Sequence, residues 1–315
     1  MIIAVTGLNT AGEPEAGFGV LQCLSAVKAS HDQLIGLAYQ PLDAGLFHAG
    51  LMHRAYVMPP PKTDRMAFLK RITLIKKQKG LDALIPAVDE EMELFIDMEP
   101  QLRAAGIATL LPFGKSLREL QSELYRQLGK QKDADEKDEQ NDPPVLPPAL
   151  IKNPVSEQTA PNAAIAPDYF SVAVVADCRS RIVAIASVRK LLISRYGGTW
   201  MALTVDNHEF LDIAEEMVRS TAWQGALTID IARNRQGEQF LSGFHSTFPD
   251  WIGLARGAGA NLPAVLIHLI QKKKIRGVAQ TLPGKVWIRS SIDLVTDLNH
   301  FGDISLNGEM TYDQT

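Results

Sequence analysis

Short apolar runs alternate with amphipathic stretches through the first third of the chain. Ile2–Val5, Leu34–Ala38, Arg54–Met58 and Ala83–Pro86 each read as a buried strand. Val20–Ala29, Met66–Lys79 and Glu91–Ala105 between them carry helical spacing, and Thr109–Leu111 reads as a last strand. Strands that alternate with helices imply a parallel sheet joined by right-handed crossovers, so residues 1–114 are expected to form a small doubly wound α/β unit.

The pattern then breaks. Ser116–Leu128 is predicted helical, but Gly129–Pro148 is acidic and Pro-rich with almost nothing apolar before Val145. A segment of that kind buries too little surface to offset its ordering entropy, so 115–168 is expected to be a helix followed by a mobile linker. From Tyr169 the reading is antiparallel: strands at Phe170–Ala176, Ile182–Ser187 and Met201–Val205, a helix at Glu209–Thr221, and a hairpin-like pair at Ala226–Ala232 and Gln239–Phe244. A helix over Ala264–Gln271 and a strand at Lys285–Arg289 follow. Residues 169–315 are therefore expected to be an α+β unit.

Composition changes this picture little. The 315 residues are 46% hydrophobic and 22% charged, with net charge -4, which gives no electrostatic case for nucleic acid or an anionic membrane. Cys23 and Cys178 lack a CxxC spacing and point to a reducing compartment. No apolar stretch approaches the ~20 residues of a membrane span, and Met1–Thr10 has no signal-peptide pattern. A soluble, cytoplasmic protein is expected. Walker A, HExxH, nucleophile-elbow and zinc-type spacings are all missing from the sequence.

Several segments, taken in order, resemble the ATP-grasp proteins of the carboxylate–amine ligase and carbamoyl-phosphate-synthase-like type. Val5–Asn9 with Gly17–Val20, Gly36–Tyr39 and Asp82–Phe95 are similar to the preATP-grasp domain. Gly225–Asp230, Phe248–Trp251, Ala258–Pro263 and Val286–Leu298 are similar to the C-terminal half of the grasp fold. The resemblance implies a fold of two parts, a preATP-grasp unit followed by a truncated ATP-grasp unit with an antiparallel sheet. It also implies ATP and Mg²⁺ as cofactors, an acyl-phosphate mechanism, and homodimers as a common state.

The same resemblance assigns candidate residues. Lys152, in Ile151-Lys152-Asn153-Pro154, falls where the family places a phosphate-contacting lysine, and equally reads as an exposed strand-end lysine. Arg189 matches a position near phosphate or substrate, and equally reads as half of an ion pair. Asp230 matches a metal-holding acid of the first of two strands, and otherwise reads as an inherited, hydrogen-bonded carboxylate. On the second strand the family reads Glu-x-Asn-Pro-Arg, whereas this chain has Gly243, His245 and Thr247. Glycine offers no side-chain oxygen and imidazole suits softer metals than Mg²⁺. His245 is therefore either a metal ligand or base of an altered site, or a plain polar contact.

Asn9, Asp89 and Glu90 lie after apolar strands, where open α/β sheets hold ligands; acids there also suit a helix N-terminus. Only fourteen residues separate Pro154 from Tyr169, and no glycine occurs from Lys130 to Arg195, so the family's glycine-rich phosphate flap is absent from the sequence. Loss of one transition-state charge stabiliser costs ~3 kcal/mol, and by this resemblance several are missing together. The sequence thus points to a catalytically degenerate ATP-grasp relative with weak or absent nucleotide binding. Such a protein would serve as a binding or scaffold partner of an intact ATP-grasp paralogue or a peptide-modifying enzyme. An active ATP-dependent carboxylate–amine ligase with a rearranged metal site is the alternative.

Overall fold

The computed structural model describes residues 1–10, 15–120, 122, 168–194, 197–234, 236–290 and 293–312. The expected linker, most of the helix expected at Ser116–Leu128, and Lys152 lie outside them.

The N-terminal unit is built as the apolar runs require. Strands β1 (Ile2–Val5), β2 (Gln33–Ala38), β3 (Arg54–Val57) and β4 (Ala83–Ile85) are parallel, in spatial order β3-β2-β1-β4. Helices α1 (Ala16–Ser25), α2 (Arg65–Lys79) and α3 (Met92–Ala104) cross between or follow them. Side chains of a strand alternate between faces, and the two cores follow that alternation. Ile3, Val5 and Leu34 enter one core, while Ala4, Ile35 and Leu37 enter the other. Helix α2 starts where the Asp64 side chain accepts from the Ala67 N–H and stops at Gly80 in the left-handed region. The strand expected at Thr109–Leu111 is reduced to a single bridge between Ala83 and Ala108. The carbonyl of Leu111 instead accepts from the Gln224 side chain of the second unit, which draws this segment away from the sheet.

The second unit is a seven-stranded sheet. Strands β5 (Asp168–Ala176), β6 (Ile182–Ile193), β7 (Thr199–Thr204), β8 (Gly225–Arg233), β9 (Gln239–His245) and β11 (Val286–Ile288) are antiparallel, in order β11-β7-β6-β5-β8-β9, and β10 (Ala279–Gln280) joins β6 in parallel. Helix α4 (His208–Ser220) covers one face through Phe210, Ala214, Met217 and Val218, against Phe170, Val172, Ile185 and Ile229. Helix α6 (Leu262–Ile270) covers the other with Leu262, Leu266 and Ile267, against the small side chains of Ala173, Ala184 and Ala226. Small residues on that face let the helix approach closely.

Three elements were not legible in the hydrophobic pattern. Helix α5 (Ile252–Gly257) packs against α1, helix α7 (Leu298–Asn307) buries only Ile304, and β12 (Glu309–Thr311) returns to the first sheet, antiparallel to β3. Both hydrophobic cores contain residues of both sheets, so the two units share their interior. Among the described residues no helix is long and apolar enough to cross a membrane.

Close backbone approach fixes the start of α1. A Cβ built on Gly17 would stand 1.9 Å from the Thr6 carbonyl oxygen and 2.3 Å from that of Gly7. In an open helix Gly→Ala stabilises by about 1 kcal/mol. Here Gly17→Ala is expected to destabilise by about 2–3 kcal/mol, because backbone must move to admit the methyl group. Gly50→Ala, which meets open space, should change stability by less than about 0.5 kcal/mol. Urea unfolding of the two variants checks the reversal of sign.

Candidate functional site

The second sheet places its polar residues where the two units meet. On β8 the even positions Ala226, Thr228 and Asp230 share a face. Thr228 lies opposite His245, and Asp230 lies opposite Gly243, just before a bulge in the β8–β9 ladder. Ser171 of β5 faces Asp230 from the other side. Asp230 is nine-tenths buried, and its Oδ2 is 2.9 Å from Nζ of Lys190 on β6, itself only 9% exposed. Nε2 of His245 stands 3.7 Å from the same oxygen.

His245 also reaches the first unit. Its Nδ1 is 3.4 Å from Oδ2 of Asp89, which sits in the short turn after β4. Oδ1 of Asp89 accepts from the backbone N–H of Ser246 at 2.6 Å and from its hydroxyl. Lys190, Asp230, His245, Asp89 and Ser246 thus form one continuous polar chain across the two units. Beside it, Asp250 accepts from the Thr199 N–H at 2.8 Å and pairs with Arg289 at 3.3 Å.

The charge states follow from this arrangement. Burial opposes ionisation of Asp230, but the Lys190 ammonium and the His245 ring outweigh it and hold the carboxyl below the usual range. Burial likewise opposes charge on Asp89, and the bonds from His245 and Ser246 overcome it. Desolvation of the His245 ring, which is about half exposed, would depress it, yet its bonds to Asp230 and Asp89 raise it to about 10. The site at neutral pH therefore holds two carboxylates bracketed by an ammonium and an imidazolium.

Of the residues expected from sequence, the structure brings Asp230, His245 and Asp89 together, and Lys152 lies outside the described residues. Arg189 points to the opposite face of β6 from Lys190, is 45% exposed, and pairs with Asp168 at 2.6 Å. Of its two sequence readings, the ion pair is the one the structure displays. Glu90 is exposed. The backbone N–H of Asn9 donates to Glu15 at 3.1 Å.

Two residues were missed. Lys190 follows Arg189 directly, and the alternation Ala184, Ala186, Val188 pointed to it as the inward member. Glu91, two positions after Asp89, is buried and accepts from the Tyr39 hydroxyl at 2.8 Å. Burial raises its carboxyl to about 8, with Glu15 and Glu90 adding to the rise against the Tyr39 bond.

The fit of Mg²⁺ can be tested on these residues. A hard divalent ion needs several oxygen ligands in near-octahedral array. Asp230 supplies one carboxylate, whose Oδ2 is already met by Lys190 and His245, leaving its buried Oδ1, which has no hydrogen-bond partner, as a single available oxygen. Gly243 supplies no side-chain oxygen, although a Cβ there would meet only ordinary contacts, 3.7 Å from that of Asp230. Among the described residues no group of three or more His, Cys, Asp or Glu side chains is arranged to hold a metal. The described residues do not fit the ion.

A buried pair of this kind is costly to break from one side. Lys190→Met is expected to destabilise the protein by about 3–5 kcal/mol, and Lys190→Met/Asp230→Leu to recover more than half of that loss. Chemical denaturation of both single variants and the double variant measures the coupling. His245 gives a pH dependence of known sign: its folded value is raised, so its stabilisation is complete below about 6.5, the unfolded value, and fades as pH rises through about 10. The drop in Tm caused by His245→Gln should therefore be largest at about pH 6 and smallest above about pH 10.

No protein-family model matches the sequence, and no curated protein does. Solved structures do match. The biotin carboxylase domain of a single-chain bacterial carboxylase superposes with a TM-score of 0.60 at 13% identity, covering 92% of this chain and 74% of that one. Biotin carboxylase from Campylobacter jejuni, in a complex titled with β-γ-ATP, gives 0.56 at 9% identity over 88% and 72% of the two chains. A complete multifunctional pyruvate carboxylase from Rhizobium etli gives 0.54 at 12% identity, with 87% of this chain covering 27% of that one. Biotin carboxylase domains are ATP-grasp enzymes, and the fold of this chain, a parallel-sheet unit followed by an antiparallel one, is ATP-grasp-like.

Proposed function

We propose that this chain is a catalytically silent ATP-grasp-like protein that acts by binding, as a scaffold or partner of an intact ATP-grasp ligase or a peptide-modifying enzyme. Residues 1–114 serve as its preATP-grasp-like unit, edged by β12, and 169–315 supply the ATP-grasp-like remainder. The observation that carries this reading is the state of Asp230. The family resemblance makes it a metal-holding acid, yet here the chain's own Lys190 and His245 neutralise it. A magnesium ion would have to displace a buried ammonium and would meet an imidazolium, with glycine on the facing strand.

Nucleotide phosphates would fare no better. The cations of the site, Lys190, His245 and Arg289, are each matched by a carboxylate at 2.9–3.7 Å. Binding a triphosphate would break these pairs and leave buried carboxylates uncompensated, a cost of several kcal/mol. Two cysteines, both free, support a reducing, cytoplasmic setting.

The reading is tested by thermal unfolding with Mg·ATP at about 5 mM. A ligand at its dissociation constant adds only about 0.4 kcal/mol, so a Tm shift below about 1 °C is expected for the wild type. A rise of several degrees that disappears in Asp230→Asn, or ADP release on addition of a carboxylate and an amine, would overturn it in favour of an active ligase.

A further inference from the structure

Helix α2 carries six basic residues and no acidic one (Arg65, Lys70, Arg71, Lys76, Lys77 and Lys79) in a chain of net charge -4. Its inner face is committed to the core through Phe68, Ile72 and Ile75. Two of the cations have structural partners: Arg65 pairs with Asp97, while Arg71 donates to the Gly308 carbonyl and lies over the Tyr56 ring. The helix dipole favours the cluster in the last turn. It does not account for Lys70 in mid-helix or for Lys62 just before the helix, and both are exposed. The Arg65 pair is the one ion pair made by α2 among the described residues.

The solvent face is also not purely polar. Met66 is 72% exposed and Leu74 is 44% exposed. Met66, Lys70, Leu74 and Lys77 follow one another at spacings of four, four and three, so they form one stripe about 16 Å long. Apolar and cationic side chains alternate along it.

We propose that this stripe is a docking surface for an acidic segment of a partner protein, whose carboxylates meet Lys70 and Lys77 and whose apolar side chains cover Met66 and Leu74. The proposal deepens the binding role above, and rests on it only in taking the chain to work through a partner. Charge complementarity selects the occupant. A lipid surface requires a broad apolar face to insert, and that face of α2 already lies in the core. Nucleic acid is disfavoured because both arginines, the residues suited to bidentate phosphate contact, are engaged elsewhere and the whole chain is anionic.

The test uses the full chain and a fluorescein-labelled, alanine-based helical peptide of about 18 residues. Glu and Leu alternate at every fourth position of this probe, and binding is read as anisotropy at about 50 and 300 mM NaCl. Wild type should bind, more weakly at the higher salt, and a peptide with Gln for Glu should not bind. Lys70→Glu/Lys77→Glu should raise Kd at least about tenfold, roughly 1.4 kcal/mol, and Met66→Ser/Leu74→Ser should raise it about threefold.

Equal affinity of wild type and the charge-reversed variant, or equal binding of the Gln peptide, would overturn the proposal. So would tighter, stripe-dependent binding to phosphatidylserine vesicles or duplex DNA. A drop of many degrees in the Tm of the free Met66→Ser/Leu74→Ser variant, beyond its small helix-propensity cost, would mean that the chain covers this face itself, and a wild-type dimer broken by the charge-reversed variant would mean that a second copy does; either defeats the proposal. A Mg·ATP response would sink the silent-site reading while leaving the peptide result standing, so the two failures are distinguishable.

Discussion

A carboxylate nine-tenths buried must meet opposite charge within a few ångströms or give up its own, and Asp230 meets two cations. Lys190 reaches it from two strands away and His245 from the neighbouring strand. Because His245 bears a second nitrogen, the same neutralisation extends to Asp89 of the first unit and through it to Ser246. Electrostatic balance at one residue thereby becomes a contact between two sheets. The pairing is internal: the chain provides both signs of charge, and an incoming ion or phosphate would compete with covalently tethered groups.

The rest of the architecture holds the two sheets against each other. Both cores draw on both sheets, and α1 presses its glycines against its neighbours. Gly17 lies under the Thr6 carbonyl, and a Cβ on Gly19 would stand 2.9 Å from Ile252 of α5. Gly225, with φ of +88°, brings the start of β8 so near Leu110 that a Cβ would lie 2.6 Å from its carbonyl oxygen. Fold and chemistry are separable properties: the frame is ATP-grasp-like, while at its polar centre one oxygen of Asp230 is met by Lys190 and His245 of the same chain.

Much of this was legible in one dimension. Apolar runs and helical spacing gave the order of strands and helices, since burial of one face imposes its period on the residues themselves. The departure at Gly243, His245 and Thr247 was also visible, because it depends on residue type alone. What failed was local and geometric. Arg189 and Lys190 are adjacent in sequence but lie on opposite faces, next to a bulge between Lys190 and Leu192 where strand parity is disturbed. Thr109–Leu111 has strand composition, yet the Leu111 carbonyl accepts from Gln224 of the second unit.

By itself, then, the sequence determined the two-part α/β and α+β plan and the absence of a side-chain oxygen at Gly243, opposite Asp230, because periodicity and side-chain chemistry are carried residue by residue. Only the tertiary structure decided that Lys190 rather than Arg189 faces Asp230, that Asp89 is taken up by His245 and Ser246 instead of facing an open cleft, and that the final strand closes the first sheet. Those outcomes depend on contacts between residues 40 to more than 250 positions apart, and a linear pattern holds no information on which distant partner arrives.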